Sequence, residues 1–512
     1  MQPLQDIAGQ PGLANPYGDV ELLRRHREQG HDLSRVIYLS LGETWQGPPP
    51  GLVDALRHVP AQAHGYQLTP YGLPALRRVL RDYITRTHHL AEVASLGGDF
   101  DVAANAGSTR SAMRDFGRLL TEDGPGASGR PVAVCASPGW DYPGVLAPLG
   151  YEMRHFGLDP DRGYQPDARE VDERLRQARR DTDGPVLLVL NAQHNPSGAN
   201  WNPAVVRESV RSAIEHGAQV LVDDAYYAVH DPGVTPTPAL RILLEELAAL
   251  PRGARRPRWL AVRSMGKQFR CNGWGVGAAV AAPETLEALY ARLLPQHTYA
   301  TAVPLQAAMA AWLSDPAADL FLAEQRAGYA AVRAETAERI RRDLGYPADS
   351  FVTGDCGPYM LVPVPPSYTA SESGRAEGDF RWHCLQRAGV LVGEGHMSTP
   401  GRPVRTSQEV IRFYLGLGAE ALGAALDRMA AAGLGWHGPR TAASVSASVP
   451  APAPASAPPG ARSRRDRRAV GGGGQGTVSA ARTTHAERNT RPAPAFVPSA
   501  DVCEPHSPVG EL

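Results

Sequence analysis

Short apolar runs alternate with amphipathic stretches along most of this chain. PVAVCASPG from Pro131, PVLLVLNA from Pro185, QVLVDDAYY from Gln219, RWLAVRS from Arg258 and GVGAAVAA from Gly275 read as strands covered on both faces. Between them, VVRESVRSAIEHG from Val205 and ALRILLEELAAL from Ala239 space their apolar residues as helices do. Near-continuous apolar strands joined by helices predict an α/β fold built on a mainly parallel sheet with helices on both faces. In such sheets ligands bind beyond the carboxyl ends of the strands. A second, smaller α/β region follows. It reads as helix LAEQRAGYAAVRAETAERIRRDLG from Leu322, strand YMLVPVP from Tyr359, helix GDFRWHCLQRAG from Gly378, strand VIRFYLGL from Val410 and helix AEALGAALDRMAAAG from Ala419.

Composition changes after Trp436 to Pro, Ala and Ser, with a basic cluster RSRRDRR at 462–468 and then GGGGQG. Too little aliphatic periodicity remains there to bury a core, so 438–512 is expected to be a disordered tail. The expected organisation is an N-terminal segment (1–55) contributing to a small domain, a large domain (56–315), the rest of the small domain (316–437) and the tail. Formal charge is −1, so no global field steers the chain toward nucleic acid or anionic lipid. No apolar run reaches the about 18 residues of a membrane span, and the N-terminus lacks the pattern of a signal peptide. Five scattered cysteines without a C-x-x-C pair favour neither a disulfide framework nor a metal site and suit a reducing compartment. A cytoplasmic, soluble protein without a metal site is the expectation.

One residue carries the chemistry. The chain has 52 Lys plus Arg, and Lys267 is its only lysine. Arginine replaces lysine wherever a solvated charge is enough, but a guanidinium cannot give up its proton to become a nucleophile. The surviving amine is therefore a candidate for covalent catalysis, above all a Schiff base. It stands in Arg263-Ser264-Met265-Gly266-Lys267-Gln268-Phe269, directly after a strand. A phosphate-binding Walker loop fails here, because it needs glycine at Ala261 and a hydroxyl residue at Gln268.

From about 37 to 433 the motifs occur in the order of the fold type I pyridoxal-phosphate enzymes, and the chain resembles their class I/II aminotransferase group. The resemblance implies a lysine-bound pyridoxal 5'-phosphate at Lys267. In LVDDAYY, similar to the family's Asp-x-x-Tyr motif, Asp223 would pair with the ring nitrogen and Tyr226 with the phenolic oxygen; Asp224 is the alternative to its neighbour. Asn195, in a segment NPSG like the family's Asn-Pro-Thr-Gly loop, would reach the same oxygen. Gly107, Ser108 and Thr109 resemble the phosphate cup at a helix start, with Ser264 adding a hydroxyl and Tyr66 reaching across a homodimer interface. Trp140 takes the place of the aromatic residue that stacks on the ring. Arg412, with Arg405 second, resembles the arginine that grips the substrate carboxylate, and Gly42, Glu43 and His396 fall where the family lines the substrate pocket.

The chain departs from the family at one position. Where the family carries a phosphate-binding arginine, eight residues after the lysine, stands Gly275. Either Arg270 or Arg263 supplies that charge by another route, or the phosphate end is rebuilt for a larger or phosphorylated substrate. The resemblance implies transamination between an α-amino acid and a 2-oxo acid. The alternative is γ-elimination, replacement or carbon–carbon bond formation in natural-product metabolism, with S-adenosylmethionine as a possible substrate. A non-enzymatic regulator built on the same fold would carry a helix-turn-helix domain, and the sequence offers none.

Overall fold

The computed structural model describes residues 4–8, 18–42, 47–92, 100–123, 129–299, 302–368, 376–397 and 409–438. All lie within one compact unit, Met1–Val449. Glu43, Arg405 and residues 439–512 of the tail expected to be disordered lie outside the described residues.

Eleven strands form two sheets among the described residues. They are β1 (Ile37–Leu39), β2 (Asp101–Ala106), β3 (Val132–Ser137), β4 (Glu152–Gly157), β5 (Val186–Leu190), β6 (Gln219–Asp223), β7 (Trp259–Ser264), β8 (Val276–Ala281), β9 (Tyr359–Pro363), β10 (Val390–Glu394) and β11 (Val410–Tyr414). The larger sheet has the order β2-β8-β7-β6-β5-β3-β4. Its pairings are parallel except those of β8, which runs antiparallel to both β2 and β7. The smaller sheet has the order β1-β10-β11-β9.

The central strands are apolar throughout because both faces are covered. Alternate residues then belong to different cores. Val220, Val222 and Ala261 pack into one cluster, whereas Leu221, Leu260 and Val262 pack into another across the sheet. Every residue of β5, β6 and β8 is buried.

The predicted strands and helices of the large sheet are present, and Asn202 caps the helix Pro203–Glu215 by accepting from the Ala204 amide at 2.8 Å. Two differences have physical causes. β8 reads as one more apolar strand, yet it follows β7 after only the short helix Met265–Phe269 and a turn. A parallel return needs a crossover of a dozen residues or more, so this strand runs back antiparallel. The long helix expected from Leu322 begins earlier, at Ala317, where Asp315 Oδ1 accepts from the Ala317 amide at 2.9 Å and so satisfies a donor of the first turn.

Candidate active site

The carboxyl ends of β2, β3, β5, β6 and β7 open toward one cavity of about 210 Å³, which the start of β8 closes. Its lining includes Ser108, Thr109, Arg110, Trp140, Asn195, Asp223, Tyr226, Ser264, Lys267, Asn272 and Gly275.

Lys267 is placed by its own helix start. Ser264 ends β7 and caps the helix Met265–Phe269, its Oγ accepting from the Lys267 amide at 3.3 Å. The Lys267 Nζ lies 5.9 Å from the centre of the Tyr226 ring.

Strand alternation separates the two aspartates. Asp223 continues the Leu221 face of β6, and its Oδ2 accepts from the Tyr142 hydroxyl at 2.8 Å. Burial lifts its carboxyl to about 6, against the Tyr142 hydroxyl, the Ala225 amide and the Lys267 charge, which favour ionisation. Asp224 turns to the opposite side, where His88 Nε2 stands 3.6 Å from its Oδ2. It is not part of the cavity lining, and burial raises it to about 7. The same alternation divides Ser264 from Arg263. Arg263 is 2% exposed, with its guanidinium 4.8 and 4.9 Å from the Tyr83 and Tyr227 ring centres and Nη1 donating to Thr87 Oγ1 at 2.7 Å.

The loop after β5 is fixed from within. Asn191 donates to the Asp223 carbonyl at 2.7 Å and accepts from the Asn195 amide at 2.8 Å. The Asn195 Oδ1 in turn accepts from Arg412 Nη1 at 3.2 Å. Arg412 reaches there from β11; its Nη2 donates to the Ser40 carbonyl at 3.0 Å, and its guanidinium lies 4.3 Å from the centre of the Tyr359 ring. The Tyr226 and Tyr359 hydroxyls are 3.3 Å apart.

At the other end, Ser108 starts the helix Ser108–Asp123 with φ 76°. That is the left-handed region, uncommon for a residue with a side chain and concentrated at functional sites. The amides of Gly107 and Ser108 both donate to the Gly275 carbonyl, at 3.0 and 2.9 Å. Trp140 lines the cavity with the Arg110 guanidinium 4.6 Å from its ring centre.

The structure thus brings Ser108, Thr109, Trp140, Asn195, Asp223, Tyr226, Ser264 and Lys267 to one cavity. Arg412 adjoins it through Asn195. His396 is buried nearby, its Nδ1 accepting from the Gly139 amide at 2.9 Å. Gly42 lies so close to Tyr359 that a Cβ there would meet its hydroxyl. Arg270 is not brought in: its guanidinium lies over Phe321 at 5.4 Å. Tyr66 is 84% exposed and packs edge-on against exposed Tyr299, ring centres 5.8 Å apart. The sequence reading passed over Tyr142, Asn191, Tyr359 and Arg110. Arg110 directly follows Thr109 and Tyr142 stands two residues after Trp140, the only signal available for them.

Comparison with known proteins shows the family of the chain and its fold. The family described as aminotransferase class I and II matches residues 126–429. The L-glutamine–4-(methylsulfanyl)-2-oxobutanoate aminotransferase of Bacillus subtilis is 24% identical over 384 residues, covering 74% of this chain and 84% of that protein. The aspartate/prephenate aminotransferase of Thermus thermophilus is 25% identical over 319 residues, 62% of this chain and 72% of that one. A solved double mutant of Thermus thermophilus aspartate aminotransferase superposes with a TM-score of 0.63 at 23% identity, covering 83% of this chain and all of its own. The α/β fold with its reversed β8 is therefore that of the fold type I enzymes, and the chain belongs to the class I and II aminotransferases, a pyridoxal-phosphate-dependent family.

Proposed function

We propose that Lys267 is the lysine that binds pyridoxal 5'-phosphate and moves the substrate's Cα proton during transamination between an α-amino acid and a 2-oxo acid. One observation carries this reading: the chain's only lysine shares a cavity with a buried carboxylate, the hydroxyls of Ser108, Thr109, Ser264 and Tyr226, and a tryptophan.

The residues fit the group chemically. An amine is present to bond its aldehyde, and Ser108, Thr109 and Ser264 offer hydroxyls beside the helix start that would receive its phosphate. Trp140 offers an aromatic face, and Asp223, on the lysine's side of the sheet, offers a carboxylate for a ring nitrogen. Bound there, the cofactor supplies an acceptor for the electrons left on Cα.

The chain's own groups divide the remaining work. Asp223, held by Tyr142 and the Ala225 amide, keeps a proton at the atom it faces. Tyr226 and Asn195 donate to the phenolic oxygen. Arg412 holds the substrate α-carboxylate, and a planar fork suits that anion. Its Nε makes no hydrogen bond in the structure, so donor capacity remains. Gly42, Glu43 and His396 complete the substrate side.

We also assign 56–315 to a cofactor domain and 1–55 with 316–437 to a smaller domain. Exposed Tyr66, Leu68 and Tyr299 support a homodimer closing over that face. A cytoplasmic location accords with four buried free cysteines, Cys135, Cys271, Cys356 and Cys384. No helix among the described residues is long and apolar enough to cross a membrane. The elimination and carbon–carbon bond-forming alternative is not better supported by the likenesses above.

The test is turnover of an amino-acid panel, including S-adenosylmethionine, with and without 2-oxo acids, and products identified by mass. Strict dependence on a 2-oxo acid is expected. Release of a thioether from S-adenosylmethionine without one overturns the assignment.

A further inference from the structure

We propose that Arg110 supplies the positive charge at the phosphate end of the cavity, in place of the arginine that Gly275 replaces; this rests on the cofactor reading above.

Among the described residues, Arg110 and Lys267 are the two cationic side chains that line the cavity. The other arginines considered are committed elsewhere. Strand alternation turns Arg263 to the far face of β7, where Thr87, Tyr83 and Tyr227 surround it. Arg270 lies over Phe321.

Arg110 sits in the first turn of Ser108–Asp123, directly after the two hydroxyl residues of the cup. Its guanidinium is directed rather than loose. Nη2 donates to Asp141 Oδ2 at 2.9 Å, and the plane lies 4.6 Å from the Trp140 ring centre. Asp141 is itself fixed: it is 6% exposed, and its Oδ1 accepts from the Gly144 amide at 3.0 Å as the cap of Tyr142–Leu146. A guanidinium carries five N–H donors, so the contact with Asp141 leaves others for a phosphate.

The backbone makes such a side chain necessary. The Gly107 and Ser108 amides, the first two a helix start would offer an anion, are bonded to the Gly275 carbonyl. The cup therefore has fewer free amide donors than an open helix terminus, and a charged side chain makes up the difference.

The experiment compares pyridoxal phosphate with pyridoxal, which lacks only the phosphate. The full-length chain, stripped of cofactor, is titrated with each, alongside R110Q and R110K. R110Q is expected to weaken pyridoxal phosphate about 10- to 100-fold, as for loss of hydrogen bonds to a charged group. Its pyridoxal affinity stays unchanged, R110K recovers part of the loss, and the phosphorus resonance of the bound cofactor shifts in R110Q. The proposal is overturned if R110Q holds pyridoxal phosphate as the parent does, or if both ligands weaken by the same factor. Failure of the parent chain to bind either ligand overturns the cofactor reading itself, an outcome distinct from both.

Discussion

The Gly275 carbonyl accepts the Ser108 amide at 2.9 Å, joining the start of β8 to the start of the helix at the cavity's edge. Gly275 has φ +64°, and a Cβ there would stand 3.3 Å from the amide nitrogens of both Gly107 and Ser108. Any side chain at this position is strained by its backbone and crowds the cup.

Gly275→Arg therefore does not restore a phosphate contact. The variant is expected to bind pyridoxal phosphate more weakly than the parent and to lose about 1–3 kcal/mol of stability, as for a side chain forced into the left-handed region. Cofactor titration and denaturant unfolding check this; tighter cofactor binding in the variant contradicts it.

The Asp223 carboxyl, lifted to about 6 by burial, makes the cofactor-free protein sensitive to pH. Between the unfolded value, near 3.9, and about 6 the native state holds a proton that the unfolded chain has released. Stability from this group is thus full at low pH and falls as pH rises through about 6. Asp224, lifted to about 7, acts in the same sense. Asp223→Asn should remove a loss on the order of 3 kcal/mol between pH 4 and 7. Tyr142→Phe withdraws a hydrogen bond that favours the carboxylate and moves the fall to higher pH. Urea unfolding of the cofactor-free proteins across that range is the measurement, and identical slopes in all three contradict the assignment.

Arg412 is 2% exposed and has no carboxylate within ion-pair distance among the described residues. A buried guanidinium held by neutral groups destabilises the empty site and favours an incoming carboxylate. Arg412→Met is expected to lower kcat/KM by about 100-fold, the scale of a charged hydrogen-bonded contact. It should leave the cofactor-free protein at least as stable as the parent. Steady-state kinetics and thermal unfolding report the two effects, and unchanged kcat/KM contradicts the role.

The patch of Tyr66, Leu68 and Tyr299 gives the oligomer test. Leu68 and Tyr66 are fully and largely exposed, so a charge there costs the single chain little. Leu68→Asp should shift the protein from dimer to monomer in sedimentation and lower activity with it. A variant that stays dimeric with full activity contradicts this interface.

Much of this site was legible because its residues sit in short segments whose order the fold preserves. Asp223 ends a strand, and Asn195 and Lys267 follow strands, whose apolar runs are easy to see, and the open end of a parallel sheet gathers them. Choosing between Asp223 and Asp224 required knowing which core Leu221 faces, which two adjacent acids in a fully buried strand cannot show. β4 was not read as a strand because EMRHFG lies at the edge of the sheet and keeps polar residues half-buried. β2, with its small residues DVAANA, carries too weak a pattern to stand out from a loop. Tyr142 and Arg412's partner Tyr359 were missed because their contacts cross 81 and 133 residues, to Asp223 and Tyr226, and no local spacing encodes such a distance.

The most direct test uses the chain's single lysine. Borohydride reduction of the holoenzyme followed by peptide mapping leaves one side-chain amine able to retain the cofactor. A pyridoxyl group on the peptide containing Lys267, absent from Lys267→Ala treated alike, is the predicted result. An unlabelled parent, or equal labelling of the two proteins, would contradict the account.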